Sequence, residues 1–240
     1  MDKLQNSIIA VIIMIMGFTT DTQGINSYVE NNKYEKEYEI SNIREIDLLL
    51  ACEVRLTQGD TESLRITADK DIFDRLTVNQ EDSTLFIKTD RDKYDNDKWK
   101  VKVYLNINEL RNIKIGGAVK LDNENILKSP KLTLDISGAA DIDMDIEVEK
   151  LLADFSGAVN AEIKGKADYV VMDMSGASNV DTEYLKSRAF YLDFSGFGKA
   201  EIFASEVVKI DMSGMGVIRY SGDPEKVQTN SSGLGIIKPR

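Results

Sequence analysis

The chain predicts an all-β fold, a right-handed parallel β-helix with coils of about 19 residues. A strand-rich N-terminal segment packs on this helix or continues into it. Two observations carry the prediction. The first is a tetrapeptide, Asp-apolar-Ser-Gly, written five times. The copies are Asp135-Ile136-Ser137-Gly138, Asp154-Phe155-Ser156-Gly157, Asp173-Met174-Ser175-Gly176, Asp193-Phe194-Ser195-Gly196 and Asp211-Met212-Ser213-Gly214. A worn sixth copy is Asn230-Ser231-Ser232-Gly233, and from Gly138 to Gly233 the steps are 19, 19, 20, 18 and 19 residues. The second is period-two alternation around each copy, which is strand geometry. The residue two before each Gly is apolar (Ile136, Phe155, Met174, Phe194, Met212). So is the residue four before it (Leu134, Ala153, Met172, Leu192, Ile210). A β-sandwich of many short strands is the alternative, but it has no need of equal spacing.

A unit of this size cannot bury an apolar face alone; stacked on copies of itself, it can. The Gly row, Gly117, Gly138, Gly157, Gly176, Gly196, Gly214 and Gly233, marks structural corners. There the backbone either takes a positive φ or passes close to another chain segment. Lys114-Ile115-Gly116-Gly117 aligns as a degenerate first coil. After each Gly a second short strand recurs, with Ile142 and Met144, Ala161 and Ile163, Val180 and Thr182, Ala200 and Ile202, then Ile218 and Tyr220 facing one way. The position after Gly is small in Ala139, Ala158 and Ala177, then becomes Phe197, Met215 and Leu234. These last three form a candidate interaction ridge.

The expected organisation is a signal peptide at 1–24, a linker at 25–39, a strand-rich segment at 40–112 and the repeats at 113–240. The working unit is one continuous domain, 40–238. Ile8 to Phe18 is an apolar run too short to span a bilayer comfortably but right for the core of an export signal. In the strand-rich segment, Val54 to Leu56, Leu64 to Thr67, Thr84 to Lys88 and Trp99 to Leu105 alternate as strands do. Lys70 to Leu76 is the one helical candidate, with Asp69 as its N-cap, and the charge-dense Asp90 to Lys98 reads as an exposed loop. This segment is expected to cover one end of the helix, leaving the other, near Ile236-Ile237, open to a second copy.

Composition excludes several functions. The chain has 240 residues, 42% hydrophobic and 30% charged, with a net charge of −11, so nucleic acid is not an expected partner. It has no His, which removes the Ser-His and Cys-His pairs; no Lys recurs at a fixed offset to activate the Ser column instead. The single Cys, Cys52, reads as a small buried apolar residue.

Stacking puts Asp135, Asp154, Asp173, Asp193 and Asp211 in one outward column and Asp122, Asp143, Glu162, Asp181 and Glu201 in another. The first column is a weak cation candidate, because calcium needs oxygens converging on one point rather than a straight row. The reading is therefore a non-catalytic protein with no cofactor and no metal. A carbohydrate-active enzyme using two carboxylates, and a structural calcium rod, are the alternatives.

The apolar signal, Val54-Arg55-Leu56-Thr57-Gln58-Gly59-Asp60, Leu85-Phe86-Ile87, Val101 to Leu105 and the Ser-Gly-Ala corners together resemble one family. This is the putative auto-transporter adhesin, head GIN domain, common in Bacteroidetes. The resemblance covers about Ile40 to Lys238. It implies an exported, β-helical cell-envelope protein that holds a protein or glycan surface ligand, in the periplasm, at the outer membrane or outside the cell. It carries over no catalytic residue.

Overall fold

The computed structural model describes residues 10–11, 33–89 and 101–240. Its architecture is a parallel β-solenoid built on the predicted repeat. The N-terminal elements are β1 (Ala10–Val11), β2 (Lys33–Tyr38), β3 (Glu45–Leu49), β4 (Ala51–Gln58), β5 (Ser63–Asp69), α1 (Lys70–Phe73), β6 (Leu76–Glu81), β7 (Thr84–Thr89) and β8 (Lys102–Ile107). The repeats supply β9 (Asn112–Ile115), β10 (Ala118–Asn123), β11 (Leu127–Ile136), β12 (Ala139–Phe155), β13 (Ala158–Met174), β14 (Ala177–Thr182) and β15 (Leu185–Phe194). After these come β16 (Phe197–Phe203), β17 (Val207–Met212), β18 (Met215–Ser221), β19 (Lys226–Ser231) and β20 (Leu234–Pro239).

Pairing between successive coils is parallel and in the register of the repeat. Asp135 lies opposite Asp154, Asp154 opposite Asp173, Asp173 opposite Asp193 and Asp193 opposite Asp211. The apolar residues two and four before each corner Gly are buried, as are Ile142, Met144, Ala161, Ile163, Val180 and Ile202. Parallel strands buried on one face need their side-chain phase reset wherever the coil bends. In β12 burial alternates from Ala139 to Glu149, slips at the doubly exposed Glu149-Lys150, and resumes at Leu151.

The corner glycines answer to close approach rather than to φ. None is among the residues with positive φ. A Cβ on Gly157 would lie 1.9 Å from the Gly138 carbonyl oxygen, and one on Gly138 2.0 Å from that of Gly117. Each corner also ties to the coil before it: the Ser156 and Gly157 amides both donate to the Ile136 carbonyl, at 3.0 and 3.1 Å.

The solenoid begins earlier than the repeats. β3 and β4 form a complete coil, with Asp47 opposite Lys114, Leu48 opposite Ile115 and Ala51 opposite Ala118. Cys52 is buried there opposite Val119, where burial pushes its thiol far above the usual range. β7 and β8 still pair parallel with β3 and β4, and beyond them the sheet turns antiparallel, β5 against β8, β2 against β5 and β6 against β7. Antiparallel strands end the stack and cap its apolar core.

Three expectations change in detail. Lys33–Tyr38, inside the expected linker, is strand β2. The helix stops after Phe73 because Leu76 enters β6, and Asp69 makes no side-chain capping bond. The signal segment apart from Ala10–Val11, the 90–98 loop and Trp99 lie outside the described residues.

Candidate functional surfaces

The outer face before the Ser-Gly corners carries the Asp column. It runs Asp47, Lys114, Asp135, Asp154, Asp173, Asp193, Asp211, Asn230 across eight coils. Adjacent strands are about 4.8 Å apart, so adjacent carboxylates repel. The column's C-terminal end relieves this. Lys209 pairs with Asp211 at 3.0 Å, and the Asn230 amide donates to Asp211 at 2.8 Å, holding its carboxyl below the usual range. In the middle the reverse holds. Desolvation, then the charges of Asp193 and Asp154, push Asp173 up. No hydrogen bond or ion pair reaches the carboxylates of Asp154, Asp173 or Asp193 from the described residues.

The second column is built differently. It runs Arg55, Asp122, Asp143, Glu162, Asp181, Glu201, Arg219, Lys238. Near its C-terminal end Glu201 is buried beneath cations, with Lys199 at 2.6 Å, Arg219 at 3.0 Å and Arg240 at 3.4 Å. The bond from Lys199 is the largest cause that holds its carboxyl below the ordinary value, aided by Arg219. Arg240 also pairs with Glu183. The carboxylates of Asp181, Glu183 and Glu201 lie within 4.8 Å of one another, a spacing that could hold a metal ion, but Lys199, Arg219 and Arg240 already neutralise them. Glu183 and Arg240 stand outside the repeat columns, so periodicity alone could not find this cluster.

Across the corner from the Asp column, the position after each Gly points outward. It holds Ala118, Ala139, Ala158 and Ala177, then Phe197, Met215 and Leu234, all in register. The last three are 63%, 49% and 76% exposed. Ile236, one outward position further along β20, is also exposed. The Ser column beside the corner is solvent-facing, and no histidine exists to activate it.

This combination of a capped parallel solenoid, charge-patterned columns and one apolar ridge places the chain among repeat-built parallel β-solenoids. Within this class, residues 42–224 match the family model for putative auto-transporter adhesin, head GIN domain, and the chain belongs to that family. Among solved structures it is similar to a putative adhesin from Bacteroides fragilis, at 23% identity and a TM-score of 0.83, over 87% of this chain and 97% of that one. It is also similar to two Parabacteroides proteins. One, from Parabacteroides distasonis, is titled a putative lipid binding protein (20% identity, TM-score 0.65, 88% and 98% covered). The other, from Parabacteroides merdae, is titled a putative adhesin (18%, 0.64, 88% and 97%). These likenesses establish the fold. No curated protein matches the chain. No helix among the described residues is long and apolar enough to cross a membrane.

Proposed function

We propose that the chain is an exported, non-catalytic cell-envelope module, working as the continuous solenoid 40–238 after loss of residues 1–24. It holds a protein or glycan surface ligand through the ridge Phe197, Met215 and Leu234. One observation carries this reading. Five coils, Ala51 to Ala177, place alanine at the outward corner position, and the next three replace it with large apolar side chains left in water. Burying such side chains against a partner is favourable by about 25 cal/mol per Å². An exposed run of them marks an interaction site. The repeated carboxylates support a non-catalytic reading, since an active site is unique and these recur in every coil.

The ridge reaches the open end of the solenoid, where β19 pairs only with β17 and β20 only with β18 among the described residues. Unpaired strand edges template pairing with another chain, so this end also suits a second copy. The test is a triple substitution, Phe197→Ser, Met215→Ser and Leu234→Ser, carried through a glycan and extracellular-matrix binding screen with light scattering for mass. Loss of ligand binding with an unchanged melting curve supports the ridge. Unchanged binding by the folded variant removes it.

A further inference from the structure

On the face before the Ser-Gly corners, a shallow groove of about 410 Å³ runs along the stack beside the Asp column. Its apolar side is a second outward row, two residues before each Asp: Thr133, Leu152, Val171, Tyr191 and Lys209, paired coil to coil. Val171 and Tyr191 are 41% and 38% exposed. Opposite these apolar members stand Asp154, Asp173 and Asp193, whose carboxylates, like that of Asp135 beside Thr133, receive no hydrogen bond or ion pair from the described residues. The column is neutralised at Asp211 by Lys209, where the apolar row also ends. Three successive unpaired acids thus run beside the apolar members of the row.

We propose that this groove docks a cationic amphipathic α-helix lying along the solenoid axis, its Lys or Arg on the Asp column and its apolar stripe on Leu152, Val171 and Tyr191. The charge is complementary, and so is the period. A helix returns the same face every 5.4 Å or so, against about 4.8 Å between coils. The mismatch of about 0.6 Å per step is within the reach of flexible Lys and Arg side chains over three coils. An extended peptide repeats a face every 6.6 Å or so and drifts by a third of a step at each coil. Desolvation and then the charges of Asp193 and Asp154 raise the proton affinity of Asp173, and a bound cation offsets the second of these. The site lies across the corner from the ridge and does not depend on it.

The test uses a synthetic peptide of about five helical turns, with Lys on one stripe and Leu on the next, titrated calorimetrically into the protein at low salt. Saturable binding is expected to weaken at least tenfold when a central Pro breaks the helix at equal charge. It is also expected to weaken at least tenfold in the variant combining Asp154→Asn, Asp173→Asn and Asp193→Asn, and at least threefold in Tyr191→Ser. Raising salt should weaken it further. Circular dichroism should show the triple variant folded, since the four neighbour repulsions among Asp135, Asp154, Asp173, Asp193 and Asp211 are gone. The ridge triple-Ser variant should bind the peptide as the parent does. No saturable binding to the parent overturns the proposal. So does equal affinity for the broken peptide, unchanged affinity in the triple-Asn variant, or loss of binding in the ridge variant.

Discussion

Asn230 donates a hydrogen bond of 2.8 Å to Asp211, the residue directly before it in the column of carboxylates. Five Asp copies precede Asn230, and the sixth position is the amide. One atom exchanged, oxygen for nitrogen, turns a repulsive neighbour into a donor. Asp211 and Asp173 thus stand in one row with shifts of opposite sign. Asn230→Asp should therefore destabilise the fold by about 0.5–1.5 kcal/mol, losing a hydrogen bond to a charged group and adding a like charge. Urea unfolding at low salt measures this, and high salt should shrink the repulsive share.

Asp173→Asn should act in the other direction. Asp173 is exposed, so the gain at pH 7 is modest, about 0.2–1 kcal/mol. Its folded-state proton affinity is raised, so between the ordinary Asp range and the raised value the folded protein binds more protons than the unfolded one. Stability then falls as pH rises through that window. The difference in unfolding free energy between variant and parent should be smallest below the ordinary Asp range and grow to a plateau above the raised value. A difference that does not change with pH would contradict the crowding of Asp154, Asp173 and Asp193.

Glu201 gives the opposite pH signature. Its carboxyl is held down by Lys199 and Arg219, so its contribution is present above the ordinary Glu value and lost as pH falls through the lowered folded one. Glu201→Gln leaves Lys199, Arg219 and Arg240 facing a neutral amide in a largely buried site. The expected cost at pH 7 is about 1–3 kcal/mol. Thermal melts of parent and variant should converge as pH drops through the lowered folded-state value, where the parent carboxylate also loses its charge.

How much of this was legible follows from what sequence periodicity can encode. The inward faces of the repeat coils were readable because Phe155, Met174 and Phe194 recur at fixed spacing and alternate with Asp and Ser. The first coil was not. Asp47-Leu48-Leu49-Leu50 carries no Ser-Gly, and β5 to β8 intervene before the repeat resumes at Lys114. The ridge was readable because each of its members follows a Gly. The groove row was hidden because Thr133, Leu152, Val171, Tyr191 and Lys209 share a register but no chemistry. The Arg240 pairing with Glu183 was beyond reach, since it depends on two residues 57 apart meeting outside any column.

The corner glycines carry the sharpest stability prediction. The sequence left two reasons for Gly, positive φ or close approach, and the structure takes the second. A Cβ at Gly157 would stand 1.9 Å from the Gly138 carbonyl oxygen, which is backbone hydrogen-bonded to Ala158 and cannot retreat without opening the coil contact. Gly157→Ala should therefore cost about 3 kcal/mol or more, the range reserved for core or backbone disruption. Gly59→Ala is the matched control. There the nearest atom is the Asn106 side-chain oxygen at 3.0 Å, which can rotate aside, and the cost should stay within about 1 kcal/mol. Denaturant midpoints of the two variants separate the explanations: if Gly157→Ala is as mild as Gly59→Ala, the corner is not sterically closed, and the row of glycines needs another cause.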